Sequence, residues 1–184
     1  MVASAHVPLD GIAPLPAQGA QGAQGAQSAQ GARGAHAAQD APCAQGTPCM
    51  PRTTLAQKLV ARAAGRAHVR PGEIVNCRVD LAMFHDSSGP RRLAPMLAEI
   101  GAPIWDKNKV VLVIDHLVPE ADDEARNIVR FARDWAAAQR LPHVHDSQGI
   151  CHIVLPQGGH LRPGMFAVGG DSHSPTGGAF GAYM

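Results

Sequence analysis

The run Gly169-Gly-Asp-Ser-His-Ser-Pro-Thr-Gly-Gly-Ala-Phe-Gly181 sets a carboxylate, a hydroxyl and an imidazole at adjacent positions, Asp171, Ser172 and His173. Glycines lie on both sides, and Met165-Phe-Ala-Val168 just upstream reads as a short buried strand. Ligands in open α/β sheets bind outside the carboxyl ends of strands, so this placement suits a site better than a core. Other apolar runs also lead into polar residues. Val110–Ile114 runs into Asp115-His116, and the segment after Glu73–Asp80 reaches His85-Asp86. Gly149-Ile-Cys-His152 sets a further imidazole behind a glycine turn. An imidazole moves protons near neutral pH, and a neighbouring carboxylate fixes its tautomer and raises its pKa. Four His-bearing segments, three of them pairing His with Asp, are expected to meet at one rim of one sheet. Hydroxyls and imidazoles there would also hold a polycarboxylate.

Each piece has a plainer reading. Asp115 suits a turn before Pro119, and Asp171-Ser-His-Ser suits the N-cap of a following helix. His143-Val-His145 places two imidazoles on one strand face, as a chelate would, but no third or fourth ligand is evident, so structural or surface histidines are expected. Cys151 beside His152 reads as a small buried hydrophobe rather than a nucleophile. The glycines at 177–181 lack both Gly-x-Gly-x-x-Gly and the Walker lysine, and no Gly-x-Ser-x-Gly elbow occurs.

The elements that would position these residues form an α/β pattern over 53–184. Thr54-Leu-Ala-Gln57 fits a capping box, Leu55 and Leu59 share a helical face, and Gly65 suits a C′ stop. Glu73–Asp80 alternates in part, as a strand does. Leu93–Ile100, after Pro90, reads as helix, and Val110–Ile114 as a buried strand. Pro119 and Glu120 open a second helix, with an apolar stripe of Ala125, Ile128, Val129, Ala132, Trp135 and Ala136. Val144, Ile153–Leu155 and Met165–Val168 are further strand candidates. Strands separated by helices imply parallel pairing.

Residues 1–52 differ. Among the first 50 only Asp10, Arg33 and Asp40 are charged, and there is no Phe, Trp or Tyr. Ala-Gln-Gly recurs, as in Gly19-Ala-Gln-Gly-Ala-Gln-Gly25. With nothing large to bury, this segment is expected to be a disordered low-complexity extension. The net charge of +1, without Lys/Arg runs, points away from nucleic acid. Val110–Ile114 is far too short to span a bilayer. No secretory signal is visible, and four scattered cysteines do not form a disulfide framework, so a reduced, cytoplasmic setting is expected.

Several blocks stand in a telling order: Thr54-Leu-Ala-Gln-Lys-Leu59, Pro71-Gly-Glu-Ile-Val75, His85-Asp86, Trp105-Asp106, Asp115-His116, Gly149-Ile-Cys-His152, and Gly169-Gly-Asp-Ser-His173 with Thr176-Gly177. From Thr54 onward the sequence resembles the N-terminal part of the aconitase superfamily. The nearest likeness is to 3-isopropylmalate dehydratase large subunits, with homoaconitase next. The resemblance implies a partial aconitase-type α/β domain, with a parallel-rich sheet and flanking helices. It also implies a hydro-lyase of leucine biosynthesis that removes and re-adds water on a small hydroxy-polycarboxylate. A [4Fe–4S] cluster with one open iron would act as Lewis acid, and a small swivel-domain subunit would complete the enzyme. Carried onto this sequence, Asp115 and His116 would assist protonation of the departing hydroxyl, and Asp171 would orient His116. His152 and His173 would hydrogen-bond the iron-bound water. Ser172 would contact a substrate carboxylate, and His85 would stand in the substrate site.

Two departures shape the expectation. The family binds its cluster through one cysteine and a later Cys-x-x-Cys pair, which this sequence lacks; Cys151 is not the expected ligand. Ser174-Pro175 stands where Thr-Cys is usual. The chain is therefore expected to be a fragment whose cluster ligands lie beyond Met184, unable alone to hold a complete cluster or turn over substrate. The alternatives are a homoaconitase or methylmalate-type hydratase, a non-catalytic product of a disrupted gene, and a zinc hydrolase built on the histidines.

Overall fold

A computed structural model describes residues 53–184. The Ala/Gln/Gly-rich extension expected over 1–52 lies outside the described residues. The first helix, α1 (Leu55–Ala63), opens on the capping box. The Gln57 N–H donates to Thr54 Oγ1 at 3.2 Å, and the Thr54 N–H donates to Gln57 Oε1 at 2.8 Å. Two otherwise unpaired donors are satisfied reciprocally. Gly65, at φ +65°, follows the C-cap in the left-handed region that favours glycine.

Four strands make one parallel sheet: β1 (Leu81–His85), β2 (Val110–Ile114), β3 (His143–Asp146) and β4 (Ala167–Gly169), in the order β3-β2-β1-β4. Between them run α2 (Gly89–Ile100), α3 (Asp123–Gln139) and α4 (Cys151–Gln157). Every residue of β2 is buried, and its alternation divides the core in two. Val111 and Val113 pack with Met83, Leu155 and Val154 on the α4 face. Leu112 and Ile114 pack with Val129, Ala132 and Ala136 of α3 on the other. A strand covered on both faces must be apolar throughout, which is why Val110–Ile114 reads as one unbroken run. The stripe expected on α3 is the stripe that is buried.

Four boundaries differ from expectation. Glu73–Asp80 is not a strand; the strand begins at Leu81, and the stretch before it joins no ladder. Ile74 within it is fully exposed, while Val75, Cys77 and Val79 are half-buried and alternate with exposed Asn76 and Arg78, so the alternation is real but joins no strand partner. Ile153–Leu155 is helical, because Cys151, Val154 and Leu155 recur at the spacing that faces one side of a helix. Helix α2 starts earlier, at Gly89, with Pro90 in the first turn, where its missing N–H is not needed. Helix α3 starts at Asp123, because Asp122 accepts the Ala125 N–H at 2.8 Å and caps it there.

Candidate active site

Because the strands are parallel, the residues that follow β1, β2 and β4 emerge on one edge of the sheet. The chain steps from β1 to β2 to β3 in one direction and then returns to place β4 on the far side of β1. Such a reversal opens a crevice at the carboxyl ends of the strands. His85-Asp86, Asp115-His116 and Gly170-Asp171 all enter it.

Asp86 lies at its base, 1% exposed. Its Oδ1 accepts the His116 N–H at 3.1 Å and the Asp115 N–H at 3.4 Å, and its Oδ2 accepts the Leu117 N–H at 2.9 Å. One carboxylate thus fixes the turn after β2. The His85-Asp86 block stands out in the sequence, yet the role expected there falls on His85 alone. The available signal was an acidic residue directly after a strand, which is rarely buried unless paired.

The Asp115 side chain is nearly buried and joins two elements. Its Oδ2 accepts the Cys151 N–H at the start of α4 at 2.6 Å, and its Oδ1 lies 2.6 Å from His116 Nδ1. The carboxylate only accepts, so His116 carries its proton on Nδ1 and turns Nε2 toward Asp171 Oδ2, 3.4 Å away. Burial opposes the His116 cation. The hydrogen bond to Asp115 and the charges of Asp115, Asp86 and Asp171 outweigh it and raise the pKa above the ordinary histidine value.

His85 stacks on His116, ring centroids 3.9 Å apart at 17°. Its Nε2 donates to the Gly170 carbonyl at 2.8 Å, and Ser87 Oγ meets its Nδ1 at 2.9 Å. His85 therefore ties β1 to the turn that carries Asp171. Asp171 Oδ1 accepts the His173 N–H at 2.8 Å and lies 3.6 Å from both His152 Nδ1 and His173 Nδ1. Burial works against its charge. The His173 N–H and the imidazoles of His116, His173 and His152 prevail and lower its pKa below the ordinary carboxylate value. His152 and His173 stack at 5.2 Å and 25°, and Ser172 Oγ sits 3.2 Å from His173 Nδ1. Ser172 and His173 face solvent.

All seven residues singled out from the sequence (His85, Asp115, His116, His152, Asp171, Ser172 and His173) meet on this edge. His143 and His145 do not join them. The geometry offers one imidazole held between two carboxylates, three further imidazoles around it (His85, His152 and His173) and an exposed hydroxyl. Such a set can pass a proton through His116 and bind anionic oxygens.

Ligand atoms of His85, His116 and Asp171, of Cys151, His152 and Asp171, and of Asp86, Asp115 and His116 approach within 4.8 Å of one another. Asp86 and Asp115 already accept backbone N–H groups, and the Cys151 thiol is pushed up to about 12, first by burial and then by the charges of Asp115 and Asp171. Iron–sulfur clusters are held by thiolates. The free cysteines among the described residues are Cys77 and Cys151, and the latter stays a thiol. The described residues therefore do not fit an iron–sulfur cluster.

The family described as Aconitase family (aconitate hydratase) matches residues 57–183. The chain is 42% identical over 139 residues to a probable methanogen homoaconitase large subunit of Methanothermobacter thermautotrophicus, spanning 73% of this chain and 32% of that protein. It is 41% identical over 132 residues to 3-isopropylmalate dehydratase large subunit 1 of Methanopyrus kandleri, spanning 71% and 31%. To the chloroplastic 3-isopropylmalate dehydratase large subunit of Arabidopsis thaliana it is 35% identical over 144 residues, spanning 71% and 28%. The chain spans about a third of the length of the curated relatives it matches. With its motif blocks ordered along a parallel sheet and most of its length matched, the chain belongs to the aconitase family.

Proposed function

We propose that this chain supplies the acid–base wall of an aconitase-type hydro-lyase large subunit, most like that of 3-isopropylmalate dehydratase. The observation that carries the reading is His116 held between Asp115 at 2.6 Å and Asp171 at 3.4 Å. In dehydration, the His116 imidazolium, favoured by the carboxylates around it, hands its Nε2 proton to the departing hydroxyl while Nδ1–H stays on Asp115, and in hydration the neutral ring takes a proton back at Nε2. Asp115 holds Nδ1 and Asp171 orients the ring. His152 and His173 hydrogen-bond the departing water, and Ser172 binds a substrate carboxylate. His85, stacked on His116 and bonded to the Gly170 carbonyl, stands behind His116 at the substrate site. Only proton transfer and carboxylate binding are assigned to these residues. The thiolates of any iron–sulfur cluster are assigned to residues other than those described.

The relatives at 42% and 41% identity are a homoaconitase and a 3-isopropylmalate dehydratase, so a homoaconitase is the second reading and a hydroxy-polycarboxylate the shared substrate class. Both are named large subunits, which supports a small-subunit partner. We assign residues 53–184 to the catalytic unit, 1–52 to an extension apart from it, and the protein to the cytoplasm. Among the described residues no helix is long and apolar enough to cross a membrane.

The test is a titration of the full chain with 3-isopropylmalate and with homocitrate, following the His116, His152 and His173 ring resonances by NMR. Saturable movement of all three is expected with at least one of the two; rings unmoved by either overturn the reading. Anaerobic iron–sulfur reconstitution of the same chain should yield no hydratase turnover. Turnover with cluster absorbance would sink the assignment of the thiolates elsewhere.

A further inference from the structure

The turn between β1 and α2 carries a serine to which the crevice chemistry gives no task. Ser88 is the N-cap residue of α2. A serine there ordinarily accepts the N–H of the second or third helical residue. Here its side chain makes no capping bond, and the second helical residue is Pro90, which has no N–H to give. The turn is held tightly over the end of β1. Gly89 packs so close that a Cβ on it would lie 2.8 Å from Cβ of Phe84, the residue before His85.

Instead of capping the helix, Ser88 Oγ lies 3.0 Å from His85 Nε2. The same nitrogen lies 2.8 Å from the Gly170 carbonyl. A carbonyl only accepts, so Nε2 carries a hydrogen and shares it between the two oxygens. On the other side of the ring, Ser87 Oγ meets Nδ1 at 2.9 Å. The Ser88 oxygen therefore accepts from His85, which leaves its own hydroxyl hydrogen to be given. No acceptor among the described residues takes that hydrogen. His85 is buried, but Ser88 is partly exposed, so an incoming oxygen can reach it from solvent. An anionic oxygen would gain most, since a hydrogen bond to an ionised acceptor is roughly twice as strong as a neutral one.

We propose that Ser88 is a second carboxylate contact of the site, donating its hydroxyl hydrogen to a carboxylate oxygen of the hydroxy-polycarboxylate. The assignment rests on the hydro-lyase reading above and extends its substrate contacts beyond Ser172. In strand order the turn of Ser88, after β1, stands between the turn of His116, after β2, and the turn of Ser172, after β4. A polycarboxylate that offers its hydroxyl to His116 and one carboxylate to Ser172 crosses the turn that carries Ser88. His85 then has two tasks: it stacks on His116, and it holds the Ser88 oxygen so that the hydroxyl hydrogen faces outward.

The test carries the NMR titration of the full chain with 3-isopropylmalate and homocitrate over to Ser88→Ala and Ser88→Thr. The threonine variant keeps the hydroxyl and should saturate with the Kd of the unaltered chain. Ser88→Ala should raise Kd about tenfold or more, the weight of one hydrogen bond to a charged group, and should still move the His116, His152 and His173 rings at saturation. An unchanged Kd in Ser88→Ala, with the rings still moving, would overturn this assignment and leave the hydro-lyase reading standing. An equal loss in Ser88→Ala and Ser88→Thr would also overturn it, because packing rather than the hydroxyl would then set the affinity. Rings that stay still in the unaltered chain would overturn both.

Discussion

Asp86 moves no proton in this scheme, yet the placement of His116 depends on it. Its carboxylate receives three backbone N–H groups from consecutive residues, 115 to 117, and Oδ1 lies 3.9 Å from His116 Nδ1. Hydrogen bonds to a charged acceptor are worth about 1.5–3 kcal/mol each, and a buried donor left without one costs about as much. Asp86→Asn points an amide at those donors and removes the charge. It should destabilise the chain by about 2–4 kcal/mol in urea unfolding. It should also lower the His116 pKa, because one of three surrounding carboxylates is gone. An NMR titration in which His116 keeps its value in the variant would refute the positioning role. This residue was hard to read from the sequence for a physical reason. Its donors stand 29 to 31 positions away, and no local pattern marks such a partner. Asp171 and His173 were easier, since the glycines around them announce a turn.

Between elements, the junction of β4 with the Asp171 turn is set by lack of space. A Cβ on Gly169 would lie 2.8 Å from Ser174 Cβ and 2.7 Å from Met184 Cε. The methionine methyl can swing away, but Ser174 cannot move without the turn that holds Asp171 and His173. A Cβ on Gly170 would meet only ordinary contacts, 3.8 Å from the Met83 carbonyl and 3.9 Å from His85 Cδ2. Gly169→Ala should therefore cost about 1–3 kcal/mol and lower the His116 pKa by drawing Asp171 away, while Gly170→Ala stays within about 0.5 kcal/mol. Equal effects of the two variants on His116 would show that crowding at 169 does not set the turn. The elements that sequence periodicity located well, β2 and α3, have a face or stripe fully committed to the core. Those it misplaced were short or one-sided. Ile153–Leu155 is three apolar residues that suit strand or helix equally until Cys151 supplies the helical spacing. The partial alternation of Glu73–Asp80 half-buries Val75, Cys77 and Val79 outside the two core clusters, with no strand beside it to pair with.

Across the whole described unit, four shifted groups set opposite pH limits on stability. Folding lowers the pKa of Asp171 from 3.8, so its contribution is complete above that value and is lost as pH falls through the lower folded value. Folding raises the pKa of His116 from 6.5, so its contribution is complete below 6.5 and is lost as pH rises through the higher folded value. Cys151 acts in the same sense at higher pH. Its thiol stays protonated to about 12 in the folded chain but ionises near 9.0 once unfolded, so stability falls across that interval. Burial lowers the His160 pKa from 6.5, so its penalty is relieved as pH rises toward that value; the urea midpoint should thus peak near pH 6.5, fall beyond neutrality, and fall again above about pH 9. The variants separate the two declines. His116→Gln should flatten the first and leave the second, whereas Cys151→Ala should flatten the second and leave the first, whatever constant penalty each adds. A decline above pH 9 that persists undiminished in Cys151→Ala would place its origin outside this buried thiol.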